Sequence, residues 1–471
     1  MAAAGIGAGF AIGGTKSSGR VIGANDTVRI GVAGLHSRGG EHVHQFARMK
    51  GVEITYLIDP DTRTYGPRLA QIMVETLGKG TKPKTVQDVR QALDDKELDA
   101  ISVATPNHWH SLITIWGCQA GKDVYVEKPC SHNIHEGRIA VEAARKYDRI
   151  VQHGTQNRSS DHWMQVAEII KSGKYGKLLV SRGLCYKSRK SIGTKPTENP
   201  PSALDFNLWT GPAPEHPFNT NLVHYNWHWF WDFGNGDIGN QGVHEMDKAR
   251  WLIPGATLPK SVISLGGRFG YQDQGETANT QIAVFDYGDT QLIFEVRGLD
   301  TPEYLDQKVG NIAHLEEGTI AGNDFYPKGG GKPEPLPKVE LTDKKPGNHF
   351  ANFIDAVRSH KTSDLNAPIL EGHYSSALCH LANISYRLGE NVPFNSVSKA
   401  FGDNKEAYET LERMEEHLSK GNNLKLDDLT YRVGRKLHVN AQTESFVDAP
   451  EADKLLTREY RRPFVVPESL A

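Results

Sequence analysis

A glycine-rich turn near the start of the fold has residue types and a spacing that suit dinucleotide binding. Residues 31–40 read GVAGLHSRGG, and the fingerprint G-x-G-x-x-G aligns from Gly34 to Gly39, with His36 at the middle glycine position. The first glycine permits a tight turn, and the third lets a helix pack closely on a strand. Asp59 follows at about the spacing, roughly 20 residues, of the acid that binds the adenosine ribose. The pattern predicts NAD as the cofactor, because an acid repels the 2′-phosphate of NADP, while the nearby Arg63 keeps NADP as an alternative.

The elements that must position this turn alternate between strand and helix from Thr27 to Gly154. Short apolar runs predict strands at Val28–Ala33, Val52–Asp59, Ala100–Ala104, Asp123–Val126 and Ile150–His153. Helical patterns lie between them at Gly39–Met49, Val86–Leu93, His110–Ala120 and Ile134–Tyr147. This rhythm predicts an α/β fold with a doubly wound parallel Rossmann sheet. The residues that we expect to bind the dinucleotide at this turn are Gly34, His36, Ser37, Arg38, Gly39 and Asp59.

The pattern changes after Gly154, where longer segments alternate apolar and polar residues. They predict a second α/β domain with a mainly antiparallel open sheet, whose strands are Leu178–Tyr186, Ser261–Phe269, Thr280–Tyr287 and Gln291–Arg297. Helices are predicted at His162–Lys171, His349–Ser359, Gly372–Leu388 and Lys405–Leu418. The stretches Ser188–Pro217 and Asp300–Lys345 are interpreted as an irregular excursion and a surface loop, and Leu424–Ala471 as an ordered strap.

Composition excludes several classes of protein. The chain has 471 residues, 38% apolar and 24% charged, with a net charge of −3. It therefore has neither the basic field that attracts nucleic acid nor an apolar run of the roughly 18 residues that span a membrane. Four scattered cysteines without a C-x-x-C exclude a disulfide scaffold, and the histidines form no H-E-x-x-H. We predict no metal site, no nucleic-acid partner and a small-molecule ligand.

The leader, residues 1–26, begins with a short run rich in alanine and glycine. Residues 2–14 read AAAGIGAGFAIGG, which resembles the apolar region of an export signal without its basic start. The two interpretations are a signal whose basic start lies upstream of Met1, with a periplasmic or exported protein, and a disordered tail on a cytoplasmic one.

Three further segments resemble the Gfo/Idh/MocA oxidoreductases. ATPNHWH (104–110) is similar to the T-P-x-x-x-H segment after the third strand of that family, and VEKP (126–129) to the E-K-P segment after the fourth. GDIGNQGVHEMD (236–247) is similar to the family's G-x-x-x-D-x-G-x-H-x-x-D segment. The resemblance covers Thr27 to about Leu388, and the strap resembles that of secreted bacterial members with twin-arginine signals.

The resemblance implies hydride transfer between a nicotinamide and a secondary alcohol. It makes Lys128 the positive group and proton relay, and His244 the general acid/base. Glu127 would help to position Lys128, and Asp247 would orient His244 or the backbone around it. Asn240 stands where the family usually has aspartate; it can bond a hydroxyl but cannot accept a proton.

The remaining expected contacts fall into two sets. The cofactor set on the resembling segments is Thr105, Pro106, Asn107, His110, Glu127 and Lys128. The substrate set is Arg158, Tyr186, Tyr225, Trp227, Trp229, Asn240 and His244. The aromatic run HYNWHWFWDF (224–233) is interpreted either as a platform for sugar rings or as the core of a strand-like segment. Arg158 either contacts substrate or forms an interdomain ion pair.

The leading functional hypothesis is an NAD-dependent oxidoreductase acting on a sugar, a cyclitol or a sugar derivative. The alternatives are a glycosidase or lyase that oxidises C3 transiently, and a non-catalytic NAD-binding regulatory protein. The expected domains are residues 27–154 for the cofactor, with helices of 346–390 packing back on it, residues 155–345 for substrate and oligomerisation, and residues 391–471 for the final helix and strap. An exposed face of the second sheet predicts a homodimer or homotetramer.

Overall fold

The computed structural model describes residues 27–341, 344–394 and 399–470. The predicted leader lies outside the described residues. The first domain has six strands, β1 (Val28–Ala33), β2 (Val52–Ile58), β3 (Lys84–Val86), β4 (Ala100–Val103), β5 (Asp123–Val126) and β6 (Val151–His153). Its helices are α1 (Ser37–Ala47), α2 (Tyr65–Glu75), α3 (Val89–Leu93), α4 (Asn107–Gln119) and α5 (Ile134–Lys146). The strands form one parallel sheet in the order β3-β2-β1-β4-β5-β6, which confirms the predicted Rossmann architecture.

The second domain is built on a larger mixed sheet. Its strands are β7 (Leu178–Tyr186), β8 (Ser261–Gly267), β9 (Thr280–Asp286), β10 (Gln291–Arg297), β11 (Val309–Leu315), β12 (Gly318–Ala321), β13 (Asp324–Pro327), β14 (Glu334–Pro335), β15 (Glu390–Pro393), β16 (Thr430–Val433), β17 (Leu437–Asn440) and β18 (Ser445–Phe446). The helices that follow α5 along the chain are α6 (Asp161–Lys171), α7 (Phe206–Thr210), α8 (Gly236–Gly239), α9 (Gly242–Trp251), α10 (His349–Ser359), α11 (Ile369–Arg387), α12 (Lys405–Glu416) and α13 (Pro450–Asp453). β7 pairs parallel to β10 and antiparallel to β11, and the other pairs in this sheet are antiparallel.

The prediction of a surface loop over Asp300–Lys345 is wrong. The stretch contains β11 to β14, and β11 lies along β7 inside the sheet with Ile312 and Ala313 buried. Gly, Pro and Lys in the tight turns between these short strands dominate the composition and hide the alternation of apolar residues.

Helix α12 covers part of the outer face of the larger sheet. Ala407, Leu411 and Met414 on one side of the helix are buried in a cluster with Ile282 of β9 and Ile293 of β10. Their spacing of three and four residues places them on one helical stripe, as an amphipathic helix requires. Our expectation that this face is exposed is therefore wrong for the part under α12.

A buried charge cluster fastens α12 to the same face. Glu295 of β10 is fully buried; it accepts a hydrogen bond from Arg413 of α12 at 2.6 Å and one from Arg297 at 3.0 Å, and a guanidinium nitrogen of Arg182 lies 3.6 Å away. The Tyr186 hydroxyl donates a further bond at 2.7 Å. Burial alone would raise the pKa of Glu295, but the three arginines lower it below its usual value.

Helix α10 returns to the first domain. Phe350, Phe353 and Ile354 pack in one buried cluster with Val28 and Ile30 of β1. Helix α11 follows, and most of its buried apolar residues, including Leu378 and Leu381, join the core of the second domain. The core beside the parallel sheet thus contains residues from two distant parts of the sequence.

The strap, residues 424–470, crosses both domains. His135 N at the start of α5 donates a hydrogen bond to Leu456 O at 2.9 Å, and Phe464 packs edge-on against Trp109 of α4 with ring centroids 5.3 Å apart. Glu444 in the strap is held by Arg138 of α5 and by His373 Nε2 of α11, which lies 2.9 Å from a carboxylate oxygen.

The contacts of Glu444 with Arg138 and His373, which we call the Glu444 clamp, predict that the stability of the folded protein depends on pH in the acid range. Burial opposes ionisation, but the hydrogen bonds from His373 and Arg138 outweigh it and lower the pKa of Glu444 to about 2 from 4.5. A carboxylate whose pKa is lower in the folded state than in the unfolded state stabilises the folded protein when it is ionised. For Glu444 this stabilisation is fully present above about pH 4.5 and is lost as the pH falls from there towards about 2. We expect the free energy of unfolding to fall less steeply over this range in Glu444→Gln than in the wild type, measured by urea denaturation. Equal slopes would contradict the clamp.

No helix in the described part of the chain is long and apolar enough to cross a membrane. Within residues 27–341, 344–394 and 399–470, no group of three or more His, Cys, Asp or Glu side chains is arranged to hold a metal ion. All four cysteines are buried as free thiols.

Candidate functional site

A cleft runs along the carboxyl ends of β1, β2, β4 and β5. This is the edge at which doubly wound sheets bind ligands. The glycine turn and α1 form one wall, and the segment from Leu208 to His228 of the second domain forms the other. The predicted site residues that line it are Gly34, His36, Ser37, Arg38, Asp59, Thr105, Pro106, Asn107, His110, Glu127, Lys128, Tyr225, Trp227 and Asn240.

Two glycines of the turn occupy positions that no other residue fits. Gly34 has φ +81°, and a Cβ placed on it would lie 2.5 Å from Ala104 O. A Cβ on Gly39 would lie 1.8 Å from Gly34 O, because α1 begins directly against the end of β1. These are the tight turn and the close helix–strand approach of a dinucleotide fingerprint, and they leave the start of α1 open to a phosphate.

His36, at the middle position of the fingerprint, contacts the opposite wall. Its ring stacks on the ring of His224, with centroids 4.5 Å apart and planes 2° from parallel. His224 Nε2 also lies 2.9 Å from a carboxylate oxygen of Asp61, just after β2. We call His36, His224 and Asp61 the latch, since together they join the two walls at the end of the cleft next to β2.

Asp59 lies on the cleft wall, but its carboxylate is hydrogen-bonded to backbone amides of the protein. One oxygen accepts a hydrogen bond from Leu35 N at 2.7 Å and the other from Asp61 N at 2.9 Å. Burial raises the pKa of Asp59 to about 6 despite these bonds. Asp59 therefore holds the glycine turn in place. Arg63 makes a two-pronged ion pair with Asp61 and does not line the cleft.

Glu127 and Lys128 follow β5 at the floor of the cleft. Glu127 is buried and accepts hydrogen bonds from Arg38 at 2.7 Å, from His42 at 3.1 Å and from Gln156 at 3.1 Å. Burial opposes its ionisation, yet Arg38 and His42 lower the pKa of Glu127 well below its usual value. Glu127 is thus an anion whose charge acts on the neighbouring Lys128. Its hydrogen bonds to Arg38 and His42 connect the end of β5 to α1.

The Lys128 ammonium reaches across to the second domain. Its Nζ donates to the backbone oxygen of Asn240 at 2.8 Å and lies 3.4 Å from the Asn240 side-chain oxygen. Burial lowers the pKa of Lys128, and the charge of Glu127 acts against that shift. A lysine with a lowered pKa in a cleft is suited to transferring a proton as well as to holding an anion.

His244, at the start of α9, is close enough to Lys128 for the charge of that ammonium to affect it, but it is not among the residues that line the cleft. Burial and then the charge of Lys128 lower its pKa well below the usual value, so the ring is neutral at pH 7. Its Nδ1 is buried and has no hydrogen-bond partner among the described residues, so Asp247 does not bond it. The expectation that Asp247 orients the His244 ring directly is wrong.

The sequence interpretation missed a second imidazole, His228, which lines the cleft. Its Nδ1 lies 2.5 Å from Tyr225 O, so Nδ1 carries the proton and Nε2 keeps its lone pair. Burial lowers the pKa of His228 to about 3, and the charge of Lys128 contributes to this shift. The only signal in the sequence was its place within the aromatic run.

That aromatic run is neither a strand nor a single platform. It contains a 3-10 turn at Asn226–Trp229, so its rings point in different directions. Tyr225 and Trp227 line the cleft, whereas Trp229 lies outside it with the Arg189 guanidinium 5.3 Å from its ring centroid. Trp229 is therefore not a cleft residue.

Three other expected site residues lie away from the cleft. Arg158 and Asp247 form a buried ion pair at 2.9 Å, and Ser375 donates a hydrogen bond to Asp247 at 2.6 Å. We considered an ion pair between domains for Arg158, which follows β6; the pair that it forms lies within the second domain, and neither residue lines the cleft. Tyr186 is buried in the sheet, where its hydroxyl donates to Glu295.

Models of known protein families match the chain in two parts, which correspond to the two domains of the structure. The family model described as the NAD-binding Rossmann fold of the Gfo/Idh/MocA oxidoreductase family matches residues 28–155. The model described as the C-terminal α/β domain of that family matches residues 180–418.

Individual relatives are distant. A glycosyl hydrolase family 109 protein of Shewanella pealeana is 28% identical over 168 residues, which are 35% of this chain and 37% of the relative. An inositol 2-dehydrogenase of Leifsonia xyli subsp. xyli is 28% identical over 159 residues, which are 33% of this chain and 44% of that protein. The chain thus spans less than half the length of these curated relatives.

The fold is also that of solved dehydrogenases. The WlbA dehydrogenase from Bordetella pertussis, solved in complex with NADH and UDP-GlcNAcA, superposes with a TM-score of 0.56 at 18% identity. The superposition covers 77% of this chain and 97% of that one. Since the two family models together match well over half of its residues, this chain belongs to the Gfo/Idh/MocA family of oxidoreductases.

Proposed function

We propose that the protein is an NAD-dependent oxidoreductase that acts on a secondary alcohol of a sugar, a cyclitol or a sugar derivative. The observation that carries the proposal is the Lys128 ammonium at the floor of a dinucleotide cleft, bonded across the domain boundary to Asn240. The close backbone packing at Gly34 and Gly39, which leaves no room for a Cβ, is the packing that a dinucleotide-binding turn requires. Nicotinamide, when bound there, supplies the hydride chemistry.

The side chains of the protein then stabilise the charge that develops on the alcohol oxygen and accept the proton that leaves it. Lys128 stabilises the oxygen of the alcohol as its proton leaves, because a neighbouring ammonium favours a developing alkoxide. His244 takes that proton, since a neutral imidazole has a free lone pair. Asn240 holds a neighbouring hydroxyl without changing its own protonation.

NAD is the proposed cofactor in preference to NADP. The carboxylates of Asp59 and Asp61 stand at the end of β2, and Arg63 is already paired with Asp61. The Arg63 guanidinium is therefore not available to neutralise a 2′-phosphate, and the two carboxylates repel such a phosphate.

The decisive experiment separates dehydrogenation from redox-neutral cleavage. The protein is purified without added cofactor and denatured, and any released dinucleotide is identified. The native protein is then offered a panel of sugars, cyclitols and aryl glycosides while reduced nicotinamide and aglycone are followed together. Net NADH formation without bond cleavage supports the proposal. Failure both to release and to bind a dinucleotide would refute it.

The latch favours one second candidate, a glycosidase or lyase that oxidises C3 transiently and recycles its NAD. An enclosed cofactor suits a reaction with no net redox change, because the dinucleotide need not exchange between turnovers. The name of the Shewanella pealeana relative is compatible with this chemistry. Release of aglycone with the bound NAD unchanged would establish it in place of the dehydrogenase.

The latch itself is testable through cofactor release. We expect His224→Ala to raise the dissociation rate of NAD by about 5- to 50-fold, since it removes a ring stack and a hydrogen bond to a carboxylate. The rate is measured by stopped-flow displacement. His216→Ala in the same segment, outside the latch, is the matched control. An unchanged rate in His224→Ala would show that the latch does not retain the cofactor.

We also propose export to the periplasm and self-association into a homodimer or homotetramer. The apolar small-residue leader supports export, which N-terminal sequencing of the native protein tests; an intact Met1 in a cytoplasmic fraction contradicts it. An oligomer needs a surface other than the sheet face under α12. Light scattering of the purified protein gives its mass, and a monomer contradicts self-association.

A further inference from the structure

One ring nitrogen on the cleft wall has no partner within the protein. His228 belongs to the wall that the second domain contributes, and it lines the cleft although only 9% of the residue is exposed. Its Nε2 bonds no residue in the described part of the chain, and it is not among the unbonded polar atoms that the protein encloses. Because the cleft is the space that His228 lines, Nε2 is open to a ligand bound there.

Two other polar side chains of the cleft are bonded within the protein. His110 lines the cleft, but its two ring nitrogens lie 2.6 and 2.7 Å from backbone oxygens. The indole nitrogen of Trp227 donates to His224 O at 3.0 Å. A few precisely placed polar groups fix the orientation of a ligand in such a cleft, and His228 Nε2 is free to be one of them.

The surrounding residues fix the position of the His228 ring. Its Nδ1 lies 2.5 Å from Tyr225 O, and the ring stacks on that of Trp227, with centroids 3.6 Å apart and planes 20° from parallel. A Cβ placed on Gly234 would lie 2.5 Å from His228 O, so the backbones of these two residues are in close contact. A side chain held in this way loses little freedom when a ligand bonds it, which favours selectivity for one ligand group.

The protonation of the ring and the nearby charges decide which groups Nε2 can bind. Since Nδ1 donates its proton to Tyr225 O, Nε2 of the neutral ring is an acceptor. Burial, together with the charges of Lys128 and Arg189, lowers the pKa of His228 to about 3, so the ring is neutral at pH 7. The ligand must therefore supply a donor. The same two charges disfavour a cationic donor, and a carboxylate has no proton to donate at pH 7, whereas a hydroxyl fits.

We propose that His228 Nε2 accepts a hydrogen bond from one hydroxyl of the substrate, other than the hydroxyl that is oxidised. His228 is then a specificity-determining residue, which favours sugars or cyclitols that carry this hydroxyl over their deoxy counterparts. The inference deepens the proposed function and rests on it for the class of substrate and for the roles of Lys128 and His244 at the reacting oxygen. A deoxy compound binds less well because it covers Nε2 without bonding it.

The test compares the binding of compounds that differ by one hydroxyl. The protein is saturated with NAD and titrated calorimetrically with D-glucose, with myo-inositol and with the monodeoxy derivatives of each. We expect at least one deoxy derivative to bind about tenfold more weakly than its parent, and His228→Phe to reduce that ratio to about threefold or less by weakening the parent alone. His228→Gln keeps an acceptor oxygen and is expected to retain part of the ratio.

His216→Phe is the matched control. His216 Nδ1 likewise lies 2.7 Å from a backbone oxygen, that of Pro217, but the residue does not line the cleft. We expect this variant to leave every affinity unchanged. Crystals of the wild type soaked with the probe that binds most tightly are expected to show a hydroxyl oxygen within hydrogen-bond distance of His228 Nε2, and they decide the question even if a variant fails to fold.

The proposal is overturned if no probe binds, if His228→Phe weakens the parent and its deoxy derivatives equally, or if the soaked probe leaves Nε2 unbonded. None of these measurements depends on turnover. A protein that selects the hydroxyl through His228 but forms no NADH from any sugar or cyclitol therefore keeps this inference and loses the proposed dehydrogenation. If the protein binds no dinucleotide, the proposed function fails, and the titrations are made on the protein as purified.

Discussion

Replacing Lys128 by methionine is expected to lower kcat by about 10²- to 10⁴-fold, the range found for groups that transfer a proton or stabilise a developing oxyanion. Methionine keeps much of the side-chain volume and removes the ammonium that bonds Asn240 O. Because we propose that the turn at Gly34 and Gly39 contributes most of the contacts to the dinucleotide, we expect its Kd to change little. Steady-state kinetics on the substrate found in the panel, together with NAD titration, measure both quantities.

Lys187→Met is the matched control. Lys187 is exposed, bonds the side chain of Gln241 at 3.0 Å close to the same segment, and does not line the cleft. We expect its kcat to stay near that of the wild type. Wild-type turnover in Lys128→Met would remove the proposed role of the ammonium, while a loss of NAD binding in that variant would instead place Lys128 among the residues that hold the cofactor.

Replacing Glu295 by glutamine is expected to lower the free energy of unfolding by about 3–5 kcal/mol, the cost of leaving a buried charge cluster uncompensated. The substitution keeps the shape of the side chain but leaves Arg182 and Arg297 buried beside a neutral amide. Arg413 would also lose its hold on the sheet, so α12 should exchange its amide hydrogens faster. Urea denaturation and hydrogen exchange measure the two effects.

Glu97→Gln is the control for this second substitution. Glu97 pairs with Arg29 at 2.9 Å, but its side chain is 74% exposed. Exposed ion pairs contribute roughly 0–1 kcal/mol, so a small change is expected. If Glu295→Gln were as mild as Glu97→Gln, the cluster would not be what holds α12 to the sheet.

The first domain was predictable because its signals are local. Apolar runs such as 28–33 and 123–126 are buried on both faces of a parallel sheet, and their strand bounds agree with the prediction. Strand β3 and helix α2 were missed because KTV is short and polar and α2 has few buried residues. The strands of 309–335 were missed because they are short and the turns between them dominate the composition.

In the candidate site too, some residues could be predicted from the sequence and others could not. Residues beside a strand end, such as Gly34 and Lys128, reach the cleft because the edge of a parallel sheet brings them there. Arg158 and Asp247 have suitable chemistry and nearby positions in sequence, but they pair with each other. His224 reaches His36 from a distant part of the chain, and no periodicity could have revealed that stack.

The packing of α10 and the strap on the first domain has a consequence for biosynthesis. Val28 leaves the ribosome early, whereas Phe353, which completes the same core, emerges only after most of the second domain. Phe464, which packs against Trp109 on the cleft wall, emerges later still. Although domains generally fold as they emerge, this one cannot finish until nearly the whole chain has been translated. We therefore expect the proposed dinucleotide to be bound only after translation, and a nascent chain stalled before α10 should not retain NAD.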